Sequence, residues 1–202
     1  KIFSYVRSTD PRSLDPQAQF DQTSSMFIQS VYDTLLTYHY LRRPYELMPS
    51  LLEKIPEISE DGLSLYLKLK EGVYFKDDKC FDGGKGRELV ADDVIYTIKR
   101  FSDININNQS WFLLDETIEG LDKFRELTGK NKASQMDYDK YSVSGLVKVD
   151  KYNIKIKLKK KNPLLLYSLA ASSLSIVPKE AVDFYKRKFG RNPVGTGAFR
   201  LE

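Results

Sequence analysis

The chain has 202 residues, 41% hydrophobic, 30% charged and 12% aromatic, with eight prolines and eleven glycines; this excludes disordered, collagen-like and disulfide-scaffold proteins. Thirty-two Lys and Arg against 28 Asp and Glu leave +4, interspersed with acids, which argues against a dedicated nucleic-acid surface. A single cysteine, Cys80, rules out an internal disulfide or cysteine-rich zinc site, and a single histidine, His39, removes most metal and acid–base constellations.

The chain opens at Lys1 without a methionine, and an upstream segment, with an export signal as one candidate, is expected to have been removed. Ile2-Phe3-Ser4-Tyr5-Val6 reads as a short strand, stopped by Asp10-Pro11 and Asp15-Pro16, which favour extended or turn geometry. From Asp21 the pattern becomes helical. Phe27, Val31 and Leu35 recur at i, i+4, i+8 beside Ile28 and Tyr32, and Asp21, Thr23 or Ser24 can cap a helix of about three turns. Arg42-Arg43-Pro44 separates it from Leu47–Leu52, and Pro56 to Gly62 is a turn-rich connection.

Leu63, Leu65, Leu67 and Leu69 alternate with Ser64, Tyr66, Lys68 and Lys70, the period of a strand with one buried face. Glu71-Gly72 turns it and Val73-Tyr74-Phe75 starts a return strand. Ala91 to Phe101 is helical, with Val94, Ile95, Ile98 and Phe101 on one face and Asp92 and Asp93 in the first turn, where the helix dipole favours acids. Lys123 to Lys140 is polar and partly helical. Val143–Val149 and Tyr152–Leu158 read as a hairpin around Asp150-Lys151. Asn162-Pro163 opens a helix over Leu164–Ala171; Ser175–Val177 is a short strand; Pro178 opens a last helix to about Phe189, which Gly190 stops.

Chemistry is sparse along this layout. His39 lies in Tyr38-His39-Tyr40, just past the first helix, and reads as a surface or helix-end residue rather than a catalytic base. Asp77, Asp78 and Asp82 with Gly83-Gly84 lack the spacing and terminal glutamate of a calcium loop. Gly83-Gly84-Lys85-Gly86 lacks the Ser or Thr of a phosphate loop. Lysines 155 to 161 read as the solvated face of a strand, and Asn108-Gln109-Ser110 matches the short glycosylation triplet. Trp111-Phe112 sits beside polar loop residues, either as core or as an aromatic wall for a ligand.

Seven motifs in order carry a resemblance. They are Ser13-Leu14-Asp15-Pro16, Val31 to Leu36, Pro49 to Leu52, Ser59 to Phe75, Ala91 to Arg100, Ile176 to Ala181, and Asn192 to Phe199. Together they resemble the first part of family 5 extracytoplasmic solute-binding proteins, the peptide and nickel binders of ABC importers. The resemblance implies a mixed α/β chain of the periplasmic binding protein-like class II fold. Residues 1 to about 32 and about 179 to 202 would be pieces of the large ligand-binding lobe and 33 to 178 the smaller domain, with the second lobe outside this chain. It implies binding without catalysis: two lobes close over a peptide or similar small ligand and deliver it to a membrane permease.

By the same resemblance the extended segment Gln19-Phe20-Asp21-Gln22 lines the cleft and pairs with ligand backbone as an added strand, and an aromatic after the second helix faces the ligand. Phe20, Gln22 and Trp111 are the expected ligand contacts. No cofactor, metal or nucleic acid is expected; the protein is read as monomeric and periplasmic or extracellular, with a lipid anchor possible before truncation. Lys76 to Glu88 is longer than the usual turn, and Val90 stands where a Thr usually caps, so that Asp92 is expected to cap instead. A hydrolase using a carboxylate pair and a structural or adhesion module on the same scaffold are the competing functions. Peptide, opine, sugar, metal-complex and haem ligands stay open.

Overall fold

The structure is a computed structural model that describes residues 9–130 and 137–201. The strand expected over residues 2–6 lies outside the described residues.

The centre of the fold is a four-stranded antiparallel sheet: β3 (Glu57–Ile58), β4 (Ser64–Lys68), β6 (Asn153–Lys157) and β5 (Leu146–Lys148), in that spatial order. The leucine alternation sets its register. Leu65 faces Ile156 and Leu67 faces Ile154, so one face of the central pair is wholly aliphatic and buried. Its other face carries Tyr66, Lys155 and Lys157 toward solvent, with the Lys155 ammonium 5.2 Å from the Tyr66 ring centre. The turn between β5 and β6 is held by the Asp150 carboxylate, which accepts from the N–H groups of Tyr152 and Asn153 at 2.8 Å each.

Against the buried face lies α2 (Ala91–Phe101). Val94, Ile98 and Phe101 are fully enclosed, and burial of each such side chain stabilises by about 1.5–3 kcal/mol. The cap differs from expectation. Asp93, rather than Asp92, reaches back to accept the Val90 N–H at 2.9 Å, while Asp92 is exposed and pairs with Lys148 at 2.6 Å. The N3 position has the reach to the N-cap amide that the preceding residue lacks. Arg87 joins this helix start to α5 (Lys179–Tyr185), donating to Asp93 at 2.7 and 2.9 Å and to Glu180 at 2.6 and 2.8 Å.

The first helix, α1, runs Gln22–Val31 and buries Ser24, Ile28 and Val31. It stops before Leu35, and of the expected face Ile28, Val31, Tyr32 and Leu35 are buried while Phe27 points outward. The physical reason is the β-prone run that follows. Leu36–Tyr38 (β1) pairs antiparallel with Leu47–Pro49 (β2), a hairpin that ends the helix early and puts His39 at a strand end. The hairpin runs on into the sheet through Leu52 and Leu69, which bridge the two.

Three other expectations change. Val73–Phe75 does not return along β4; it pairs with residues 87–89, closing the Lys76–Glu88 loop, which packs Phe81 on Phe75 at 5.9 Å. The helix after Pro163 is one turn, α4 (Leu165–Ser168), followed by turns to Leu174, with the Asn162 side chain accepting the Leu164 N–H at 3.0 Å. Ser175–Val177 is buried but forms no strand, because its amides go elsewhere: Ile176 N–H to the Asp33 carbonyl and Val177 N–H to the Thr97 hydroxyl. The polar stretch after Trp111 does contain a helix, α3 (Leu121–Lys130), as expected in part, and it begins before Lys123.

The two ends of the described chain meet. Leu14 N–H donates to the Gly190 carbonyl, and Gly197 and Phe199 donate to Val31 and Ser30 at the end of α1. Gly197 lies so close that a Cβ would fall 2.6 Å from the Val31 carbonyl carbon and 2.8 Å from the Ser30 oxygen. Both are backbone atoms that cannot swing aside. Gly197→Ala is expected to lower unfolding free energy by at least ~1–3 kcal/mol in urea titrations, the usual cost of overpacking, whereas Gly72→Ala, with nothing within 4 Å of its Cβ position, should cost only its left-handed backbone strain.

Candidate functional site

The segment between the Asp-Pro turns and α1 is shaped by buried polar groups. Asp15 receives both Arg100 Nη atoms, at 2.8 and 2.6 Å, and its Oδ1 also accepts the Gln17 N–H. Gln17 hydrogen-bonds Arg100 and donates to the Thr97 carbonyl at 3.3 Å. Burial opposes the guanidinium charge, yet Asp15 more than offsets it and holds Arg100 protonated above its ordinary range. The chain therefore enters Gln19–Gln22 from a fixed point on α2.

Asp21 then caps α1. Its Oδ1 accepts the Ser24 N–H at 2.8 Å and its Oδ2 the Ser24 hydroxyl at 2.7 Å. The Ser24 amide is the main cause of an Asp21 carboxyl held below its usual range, against a small opposing effect of burial. Gln19 is buried and its side-chain oxygen accepts the Asp21 N–H at 3.2 Å. Between them Phe20 points out, 61% exposed, and neither its N–H nor its C=O has a protein partner among the described residues.

An open pocket of about 260 Å³ lies here. One wall is Gln19, Phe20, Asp21, Gln22 and Ser25; the other is Ser110, Ser172 and Ser173. The walls touch through the Ser25 and Ser172 hydroxyls, 2.8 Å apart. The lining is hydroxyls, amides, one phenyl ring and one carboxylate already engaged as a helix cap. Such a surface can hydrogen-bond amide groups and cover an apolar side chain; among its described residues it holds no pair of carboxylates and no base.

Of the residues singled out from sequence, Phe20 and Gln22 come together in this pocket. Trp111 does not line it; its preceding residue Ser110 does. The Trp111 indole is half-buried, its Nε1–H donates to Asp115 at 3.0 Å, and its ring packs beside Phe101 and under the Arg125 guanidinium at 4.6 Å. The serines Ser25, Ser172 and Ser173 were missed, since isolated hydroxyls give no periodic or motif signal. The other sequence features have local roles. His39 Nδ1 accepts the N–H groups of Leu41 and Arg42 in the hairpin turn. Asn108 is buried, with its amide donating to the Phe101 carbonyl at 2.7 Å, so its nitrogen is engaged inside the fold. Asp77 accepts the Gly86 N–H, and Asp78 accepts from Tyr185 and Cys80, so these carboxylates serve separate partners. Burial, aided by Asp78, pushes the Cys80 thiol up to about 12, which leaves it protonated and unreactive at neutral pH.

The model of the bacterial extracellular solute-binding proteins, family 5 (middle), matches residues 46–202. The chain belongs to that family. It is 28% identical to the dipeptide-binding protein of Escherichia coli over all of this chain and 35% of that protein, and 29% identical to heme-binding protein A of Haemophilus influenzae over 98% of this chain and 34% of that one. The chain thus spans about a third of the length of the curated relatives it matches. Among solved structures, that of Listeria monocytogenes OppA bound to peptide superimposes with a TM-score of 0.76 at 20% identity, covering 97% of this chain and 35% of that one. The periplasmic binding-protein fold expected from the motif order is the fold observed.

Removal of the α1 helix cap offers a test of how the pocket is built. Asp21→Ala should cost about 1 kcal/mol of stability, and the difference from the parent should vanish on acidification. The sign follows from the lowered carboxyl: its contribution is present above the ordinary carboxylate range and is lost as pH falls through the lowered folded value. Urea midpoints measured from neutral to acidic pH check it.

Proposed function

We propose that this chain is part of the substrate-binding component of an ABC importer, working outside the cytoplasmic membrane and holding a peptide or similar small ligand between two lobes for delivery to a permease. The observation that carries the reading is the backbone of Phe20, which has no protein partner among the described residues, beside the extended Asp21 and in a pocket of hydroxyls and amides, in a chain of a solute-binding family. A peptide laid along Gln19–Gln22 would add a strand there, with backbone bonds giving affinity independent of sequence. Phe20 covers a ligand side chain, Gln22 offers an amide, and Trp111 acts through its neighbour Ser110 on the opposite wall.

The domain division belongs to the same proposal: residues 1–32 and 179–202 in the large lobe, 33–178 in the smaller domain. It is supported by the hydrogen bonds that tie Leu14 to Gly190 and α1 to Gly197, and by both sheets lying within 36–157. The pocket then sits on the seam, one wall from the first large-lobe segment and one from the smaller domain. Its lining has no basic side chain among the described residues, so a ligand carboxylate would be held by the opposite lobe. A hydrolase is disfavoured by the single, engaged carboxylate in the pocket.

The test is ligand-induced stabilisation of the intact protein against a library of short peptides, opines, sugars and haem. A peptide hit should raise the unfolding temperature with the logarithm of ligand concentration above its Kd, and Phe20→Ala should weaken its affinity about tenfold, with a smaller loss in Trp111→Ala. Unchanged binding in Phe20→Ala, or stabilisation by no peptide in the library, would count against the reading.

A further inference from the structure

Six serines are buried among the described residues, and four of them engage their hydroxyls inside the fold. Ser24 donates to Asp21 at 2.7 Å, Ser102 to the Lys99 carbonyl at 2.7 Å, Ser168 to the Leu113 carbonyl at 3.3 Å and Ser175 to the Ser172 carbonyl at 2.8 Å. The other two, Ser110 and Ser173, are each 5% exposed, and neither hydroxyl has a hydrogen-bond partner among the described residues. Ser110 stands before the Trp111–Leu113 turn without capping it. Ser173 lies in the turn after α4, between Ser172, which meets Ser25, and the buried Leu174. Both line the pocket on the wall opposite Phe20.

The exceptions to pairing therefore fall where the pocket is. A buried hydroxyl left without a partner is costly, and native interiors rarely keep one. The fully enclosed polar side-chain atom without a partner among the described residues is the Tyr32 hydroxyl, so those of Ser110 and Ser173 retain an opening. A group that enters the pocket and shuts them off from water must return a donor or an acceptor. An apolar group cannot.

Charge narrows the group further. The one charged residue of the lining is Asp21, whose two oxygens are already engaged by Ser24, with Arg12 acting on the same carboxylate. A ligand carboxylate would meet that like charge with no cation in the described lining. An ammonium or guanidinium would lose hydration beside an acid whose charge is already answered.

We propose that Ser110 and Ser173 make this wall a subsite for an uncharged ligand side chain bearing an amide or hydroxyl, and that they are the residues that select it. The inference rests on the peptide reading above and adds the class of side chain that the pocket takes.

Tri-alanine peptides carrying Gln, Leu, Glu or Lys at each position in turn, titrated calorimetrically into the intact protein, test it. At one position Gln should bind about tenfold tighter than Leu, which is of similar size, and tighter than Glu or Lys. In the Ser110→Ala, Ser173→Ala double variant the Gln-over-Leu ratio should fall to within about twofold. A second readout needs no ligand. Ser110→Ala and Ser173→Ala remove no internal bond and should leave the unfolding temperature unchanged or raise it, whereas Ser175→Ala should lower it. Peptides that bind with no preference for Gln at any position, or with one that survives in the double variant, would overturn the inference and leave the peptide reading standing. A fall in unfolding temperature in Ser110→Ala or Ser173→Ala equal to that of Ser175→Ala would overturn it too, by showing that these hydroxyls serve the fold. If no peptide of this set or of the library stabilises the protein, both readings fall together.

Discussion

Arg100 ends a buried helix with its charge turned inward, and the fold is arranged around meeting it. Asp15 takes both of its Nη groups, Gln17 adds a third contact, and the Phe189 ring lies 5.3 Å from the guanidinium carbon. An isolated guanidinium in that place would be strongly destabilising; paired, it fixes where three distant parts of the chain must lie. Those parts are the entry to the pocket, the core helix α2 and the segment that follows α5. The cost of an unpaired charge makes the arrangement specific as well as stable.

That constraint passes to the site through short range bonds. Asp15 and Gln17 set the start of Gln19–Gln22, Asp21 sets the start of α1, and Ser25 meets Ser172 across the pocket. Phe20 is left outward, its backbone groups without a partner among the described residues, because its neighbours on both sides are held. Arg87 does related work at the other end of α2, tying Asp93 to Glu180. The pocket is thus open at Phe20 and fixed by hydrogen bonds one residue to either side.

What could be read from the sequence was what has a period or a motif. The leucine alternation of residues 63–69 gave the central strand and its partner face, and Val94, Ile98 and Phe101 gave the core helix, because burial of one face imposes those spacings. The motif order identified the family, and the resemblance pointed to Phe20 and Gln22, which line one pocket. Short elements were another matter. Leu36–Tyr38 was absorbed into the preceding helix since Leu35 fits a helical repeat as well as it fits a strand, and pairing with Leu47–Pro49 decided it. Ser175–Val177 has strand residues but spends its amides on Asp33 and Thr97. The serines of the far wall carry no pattern at all, and the Asp15–Arg100 pair, 85 residues apart, could not be inferred from charge alone.

The claim that the buried guanidinium positions the binding segment is open to a direct measurement, amide hydrogen exchange in an Arg100→Met variant. Exchange should accelerate over residues 14–31, around Gln19–Gln22 above all, while the amides of Leu65, Leu67, Ile154 and Ile156 keep their protection. Faster exchange spread evenly over the sheet and the segment, or unchanged protection in 14–31, would contradict it.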